Sequence, residues 1–170
     1  PEAPELFSKG PHEATGTFEI GNPDLALEKA RTIEFGLRRA QGRMRFDSSI
    51  YYTQFDGYIF KDFTGIDCGE EFADCGVEDE LQQILYSQKD ATFYGGEFFG
   101  EFDVARVWRG VFGVDGQFDV VKASFEDGTN VPRIPPVRLG GGLFYRDRQV
   151  EARVGLLHAF DQDDIGVNET

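Results

Sequence analysis

The chain has 170 residues, with 31 acidic and 17 basic side chains and a formal net charge of −14. This length suffices for one domain with its own core, and the negative charge argues against nucleic acid as a partner, because phosphate binding needs a basic face. The composition of 17 Phe, 6 Tyr and 21 Gly, with one Met and one Trp, favours strands and tight turns over packed helices. No apolar run approaches the roughly 18 residues of a membrane helix.

Apolar and polar residues alternate with a period of two along most of the chain, which is typical of strands with two different faces. In the first run, Ile33, Phe35 and Leu37 fall on one face and Glu34 and Arg38 on the other. The runs are ARTIEFGLRR (30–39), RMRFDSSIYYTQ (43–54), ATFYGGEFFGEFDV (91–104), VWRGVFGVDGQFDVVKASF (107–125), VRLGGGLFYR (137–146) and VEARVGLLHAF (150–160). The pattern predicts an all-β fold, an antiparallel meander of about six strands.

The predicted connections sort by length. Short turns near 39–43 and 147–149 lie at one end, and long loops at about 61–90 and 126–136 lie at the other, where 1–29 would be the tail of another loop. This arrangement, with charges inside the runs, is typical of transmembrane barrels of the outer membrane. A soluble β-sandwich also alternates, although its loops need not sort by side. The pattern favours the barrel and leaves the soluble β-sandwich, as a binding module, as an alternative.

Three ordered segments resemble the barrel of TonB-dependent outer-membrane receptors. They are PELFSKGPHEATGTFEIGNPDLALEKARTIEFGLR (4–38), QKDATFYGGEFFGEF (88–102) and VPRIPPVRLGGGLFY (131–145). Within the first, the pairing of GPH with ATGTFEIG is similar to the branch that imports zinc, or haem and other metal complexes. The resemblance covers essentially the whole chain.

The resemblance implies a barrel of about 22 strands around a plug, of which about six strands would be a part. We therefore expect residues 1–170 to be a partial barrel from the second half of such a receptor, with no plug domain. The implied partners are outer-membrane lipid, the remaining strands and plug of the parent receptor, and TonB–ExbB–ExbD acting through the plug. The implied function is active transport across the bacterial outer membrane, by the parent rather than by the fragment.

His12 is the candidate metal ligand of the sequence. It lies in GPHEAT, beside Glu13, and an imidazole with a carboxylate suits zinc, although a tetrahedral site needs further ligands. By resemblance, this histidine would help to hold the transported metal, with zinc or haem as cargo and no intrinsic cofactor. The alternative is an exposed loop histidine. The second histidine, His158, is expected at an interfacial aromatic position beside Phe160.

Both cysteines lie in the acidic stretch DCGEEFADCGVEDE (67–80). Neither a CxxC motif nor a second pair is present, so a thiolate zinc site and a redox pair are weakly supported. Within an outer loop of a cell-envelope protein, Cys68 and Cys75 are expected to form a disulfide. The acidic residues of this loop are expected to face water and to attract cations, or simply to keep the loop soluble: Asp67, Glu70, Glu71, Asp74, Glu78, Asp79 and Glu80.

No nucleophile elbow, phosphate-binding glycine loop or HExxH motif occurs in the chain, so an enzyme is not expected. Three functions stay open at this point. They are a TonB-dependent transporter for zinc or a metal complex such as haem, a TonB-dependent receptor for a siderophore or glycan, and a soluble β-sandwich that binds carbohydrate or cations.

Overall fold

The computed structural model describes residues 1–12, 14–69, 75–76 and 81–169. It contains one short helix, α1 (Ala3–Phe7), and the following strands: β1 (Lys9–His12), β2 (Thr17–Ile20), β3 (Lys29–Arg39), β4 (Met44–Cys68), β5 (Leu81–Val107), β6 (Gly110–Phe125), β7 (Arg138–Arg146) and β8 (Glu151–Ala159). Among these described residues, no helix has the length and hydropathy needed to cross a membrane.

The strands form one sheet. The six long strands, β3 to β8, pair with their chain neighbours and are all antiparallel, so the predicted meander is confirmed. The sequence analysis did not predict β1 and β2, which are only 4 residues each. Strand β2 pairs in parallel with the start of β5, at Gln82 to Leu85. A single hydrogen-bonded sheet does not match the two-layer sandwich that the alternation left open.

The two faces of the sheet differ in chemistry. Directly paired residues share a face, so the register Phe98–Phe118–Leu139 and the register Phe102–Val114–Leu143 run across three strands on one side. We call this side the apolar face; its side chains are largely exposed, and Leu156 on β8 reaches 86% exposure. The opposite side, the charged face, carries these residues: Arg45, Asp47, Glu97, Glu101, Asp103, Asp115, Asp119, Arg138, Arg146 and Arg153.

The hairpin of β4 and β5 is much longer than a membrane requires. Its strands have 25 and 27 residues, whereas about 9–11 residues cross a bilayer. The predicted loop at 61–90 is therefore mostly strand, because β4 continues to Cys68 and β5 begins at Leu81. The sequence LQQILYSQ does not alternate regularly between apolar and polar residues, so the hydrophobicity pattern did not predict this extension. A bulge between Phe55 and Tyr58 interrupts the register, where Gly57 adopts φ +67°.

The turn between β5 and β6 was not predicted. The alternation suggested that Trp108 belongs to a strand, but Trp108 and Arg109 form the turn that joins Val107 to Gly110. Trp108 has φ +52° and is 93% exposed. The turn lacks the Asn-Gly or Asp-Gly signal that marks two-residue hairpins. It lies at the same end of the sheet as residues 40–43 and 147–150, so short connections do gather at one end.

Two apolar clusters lie at the opposite end, one on each side of the sheet. The first, on the same side as the apolar face, joins Phe63, Ile84 and Tyr86 to Leu25 of the N-terminal segment. The second joins Phe60, Ala91, Phe125 and Val131 on the side of the charged face. Residues 1–28 and the connection 126–137 are therefore packed against the long hairpin, which gives the long-loop end its own core.

Candidate functional site

His12 ends β1 and lies beside a hydrogen-bonded cluster. Its Nδ1 atom is 2.9 Å from the Thr15 hydroxyl and 3.9 Å from Oε1 of Glu19, and 52% of its side chain is exposed. Its predicted companion, Glu13, lies outside the described residues. His12 is thus held at one ring nitrogen and open to solvent over half of its surface.

Glu19 is the centre of this cluster, and its side chain is only 6% exposed. Lys61 donates to Oε1 and the Tyr86 hydroxyl donates to Oε2 at 3.0 Å. Thr17 also donates toward Oε1 at 3.4 Å, and the Thr15 hydroxyl lies 3.5 Å from the same oxygen. The buried carboxylate is paired and hydrogen bonded, which is the condition for burying a charge without a large penalty.

The register explains why these groups meet. Thr15, Thr17 and Glu19 are spaced by two residues, which places Thr17 and Glu19 on one face of β2. Glu19 is paired with Ile84 of β5, while Lys61 of β4 is paired with Tyr86. Since Ile84 and Tyr86 are also two apart, the hairpin presents Lys61 and Tyr86 on the face that carries Glu19.

The protonation of Glu19 follows from this geometry. Strand β2 has 4 residues and is too short to cross a membrane. Burial raises the pKa of the Glu19 carboxyl, but hydrogen bonds from Lys61 and Tyr86, with the charge of Lys61, together lower that pKa below its ordinary value. Glu19 is therefore an anion at neutral pH and acts only as an acceptor.

A complete metal site is not assembled within the described part of the chain. Among residues 1–12, 14–69, 75–76 and 81–169, no group of three or more His, Cys, Asp or Glu side chains converges as metal ligands. Among the described residues, the ligand candidate that remains near His12 is Glu19, which already binds Lys61 and Tyr86. The pair His12 and Glu13 stays a prediction.

The two cysteines form the expected disulfide, with their sulfur atoms 2.08 Å apart. The bridge joins the end of β4 to Cys75, and the Gln83 amide donates to both sulfur atoms at 3.4 Å. Of the predicted cation-attracting residues, only Asp67 lies within the description, where its carbonyl accepts from the Gly76 amide at 2.8 Å. The other six lie outside the described residues: Glu70, Glu71, Asp74, Glu78, Asp79 and Glu80.

A second polar cluster lies on the charged face, nearer the short turns. Arg45 binds Glu101 at 3.1 Å and Asp103 at 2.7 Å, and Arg153 binds Glu101 at 2.6 Å and Asp115 at 3.1 Å. The Arg153 guanidinium also lies 5.5 Å from the ring of Phe144. The opposite charges neutralise one another, although Asp115 Oδ2 is buried without a hydrogen-bond partner among the described residues and has only the ion pair with Arg153.

His158 lies on the apolar face, as expected. It is directly paired with Leu139, and its ring is 4.8 Å from that of Phe160 in an edge-to-face arrangement. No ion pair joins it to an acidic side chain among the described residues. His158 therefore serves as a natural control for His12.

Sequence reasoning selected His12, whose role as a ligand stays a prediction, but missed the residues around it: Thr15, Thr17, Glu19, Lys61 and Tyr86. The one available signal was the alternating T-x-T-x-E spacing that follows His12 in EATGTFE. Nothing local marks Lys61 or Tyr86, because the fold brings them from 42 and 67 positions beyond Glu19.

The comparisons with known proteins identify the class of the chain. The family described as "TonB dependent receptor-like, beta-barrel" matches residues 1–167. The chain belongs to this family of β-barrels, which lie in the outer membrane of Gram-negative bacteria. The resemblance stated from the sequence is thereby confirmed at the level of the family, and the soluble β-sandwich is wrong.

A solved structure has the same fold. The copper transporter OprC matches with a TM-score of 0.73 and 20% sequence identity over 98% of this chain. The chain spans only 23% of the length of that transporter. The open sheet is thus a segment of barrel wall, with the apolar face toward lipid and the charged face toward the interior.

Proposed function

We propose that the chain forms part of the wall and part of the outer opening of a TonB-dependent transporter. This transporter takes up zinc or a metal complex such as haem. The observation that carries the proposal is the half-exposed His12 at the long-loop end, held against the buried anion Glu19. A histidine fixed in this way is a suitable first contact for a metal. The remaining ligands would come from Glu13 and from parts of the parent receptor.

The copper transporter OprC supports a metal as cargo, because its name states that it carries one. It does not favour zinc or haem over copper, so copper belongs in the test. The partners of the proposal are the plug, which would close the barrel, and TonB–ExbB–ExbD, which would drive uptake through the plug. A siderophore or a glycan is the second candidate cargo, since the family likeness alone fits it equally.

Titration of the full-length receptor with Zn²⁺, Cu²⁺ and haem in detergent tests the proposal. The change of His12→Ala removes a ligand and is expected to weaken binding of the cargo metal by at least about tenfold. His158→Ala is the matched control and is expected to leave the affinity unchanged, since His158 faces lipid.

Unchanged affinity in His12→Ala would remove His12 from the site. If the receptor binds neither Zn²⁺, Cu²⁺ nor haem, a metal cargo is ruled out. Growth rescue with siderophores and glycans would then identify the substrate class.

A further inference from the structure

A line of hydroxyl groups connects His12 to Glu19. The Thr15 hydroxyl lies 2.9 Å from His12 Nδ1 and 2.7 Å from the Thr17 hydroxyl, and the Thr17 hydroxyl lies 3.4 Å from Glu19 Oε1. As whole residues, Thr17 is 2% exposed and Glu19 is 4% exposed. A buried anion is thus joined to an exposed imidazole through two threonines.

The buried end of this line fixes the direction of its hydrogen bonds. Glu19 accepts hydrogen bonds from Lys61 and Tyr86, and an ionised carboxylate can only accept. Thr17 therefore donates to Glu19, and the single Thr15 proton goes to the nearest acceptor, the Thr17 hydroxyl at 2.7 Å, in preference to the His12 carbonyl oxygen at 3.3 Å and Glu19 Oε1 at 3.5 Å. With its one proton committed, the Thr15 hydroxyl can only accept from the imidazole, so His12 donates through Nδ1–H.

The electrostatics favour the same tautomer. Glu19 Oε1 lies 3.9 Å from His12 Nδ1, and a negative oxygen at that distance stabilises a proton on the facing nitrogen. An imidazole with its proton on Nδ1 carries its lone pair on Nε2. Histidines that bind metals commonly donate their other ring N–H to a carboxylate or another acceptor in this way.

We propose that Glu19, acting through Thr17 and Thr15, is a positioning group that holds His12 in the tautomer with a free Nε2 lone pair, ready to accept a metal ion. This inference deepens the proposed function and rests on it for the metal, while the tautomer itself is a property of the metal-free protein. Lys61 and Tyr86 take part by keeping the carboxylate fixed and ionised.

The exposed Thr15 is the position at which to test the line, because changes there leave the buried pair of Glu19 and Lys61 intact. Thr15→Val keeps the shape and removes the hydroxyl, and Thr15→Ser restores it. Two measurements on the full-length receptor are needed. The first is ¹⁵N NMR of metal-free, ¹⁵N-histidine-labelled protein, with the His12 signals identified by their loss in His12→Ala. The second is calorimetric titration with Zn²⁺ alone.

We expect wild type and Thr15→Ser to show a protonated Nδ1 and an unprotonated Nε2. Thr15→Val is expected to shift His12 toward the Nε2–H tautomer and to weaken Zn²⁺ binding by about tenfold, the lower end of the usual effect of such groups. Equal thermal unfolding of the three proteins is the control for folding.

The inference is overturned if Thr15→Val keeps the wild-type tautomer, or if Thr15→Ser behaves like Thr15→Val. The two proposals fail separately. A tautomer shift in a receptor that binds no Zn²⁺ supports the positioning role and contradicts zinc as cargo. Normal Zn²⁺ binding, together with a His12 tautomer that is the same in wild type and Thr15→Val, contradicts the positioning role alone.

Discussion

Asp127 illustrates how single residues hold the outer connections in place. Its carboxylate accepts from the amide of Thr129 at 2.9 Å, from the Thr129 hydroxyl and from Lys89 at 3.0 Å. Asp127 lies in the turn after β6, outside the strands. The hydrogen bonds from Thr129, followed by that from Lys89, lower the pKa of Asp127 to about 2.

This lowered pKa predicts an unusual acid resistance of the turn. A carboxyl group whose pKa falls on folding contributes stability that is fully present above its unfolded pKa of about 3.9. That stability is lost as the pH falls through about 2. We expect hydrogen exchange at the Thr129 amide to stay protected at pH 3.5 and to become fast near pH 2. A midpoint close to 3.9 would contradict the hydrogen-bond pattern, and Asp127→Asn, which does not titrate, is the control.

At the scale of residues, the sequence predicted single groups better than their partners. His12 was selected because a histidine beside a carboxylate is a recognisable pattern, and its role as a ligand stays a prediction. The bridge between Cys68 and Cys75 was predictable because only two cysteines exist. The pair of Lys61 with Glu19 was not predictable, since it depends on the extension of β4 and β5 and on the parallel pairing of β2 with β5.

At the scale of elements, two glycines of β6 test the packing of the sheet. A Cβ atom on Gly113 would lie 2.2 Å from Cζ of Phe144 and 2.6 Å from the carbonyl oxygen of Phe102. A Cβ atom on Gly116 would meet nothing closer than the carbonyl oxygen of Gly140, at 3.7 Å. The ring of Phe144, which is 2% exposed, therefore lies directly over Gly113.

We expect Gly113→Ala to destabilise the barrel by about 1–3 kcal/mol, because overpacking forces the ring or the backbone to move. Gly116→Ala is the matched control, and we expect little change or a slight gain in stability. The free energy of unfolding of the full-length receptor in lipid vesicles, measured by urea titration, distinguishes the two. Equal stability of both variants would contradict the described packing of Phe144.

The elements themselves were predictable where alternation between the two faces is strong. The six runs from 30 to 160 correspond to β3 through β8. They were predictable because, at alternate positions, apolar side chains face lipid and polar side chains face the aqueous interior. Beyond the membrane this demand ends, so the polar stretch from Leu81 to Asp90 gave no signal although it is strand. Strands β1 and β2 are short; β2 pairs with β5, which is remote in sequence, and β1 pairs with β2.

At the scale of the whole molecule, the assignment of the two faces predicts opposite effects of the same substitution at adjacent residues. Phe118 lies on the apolar face, between Phe98 and Leu139, and Gln117 lies on the charged face. Arginine toward lipid costs up to about 2–4 kcal/mol near the middle of the bilayer, whereas interior changes cost less. We expect Phe118→Arg to reduce the amount of folded receptor in the outer membrane.

Gln117→Arg is the matched control, and we expect it to fold nearly as well as the wild type. The heat-dependent shift of the receptor on a gel measures the folded fraction of both variants. If the folded fraction falls in Gln117→Arg and stays high in Phe118→Arg, the assignment of the two faces is wrong and must be reversed.

The central proposal is that the parent receptor of this chain takes up metal under the control of TonB. Accumulation of radioactive zinc in cells carrying the full-length receptor, with and without a functional TonB, tests it most directly. The account predicts uptake that requires TonB and that falls when His12 is replaced by alanine. Uptake that is the same without TonB, or an absence of zinc, copper and haem uptake in cells that import a siderophore or glycan through this receptor, would contradict it.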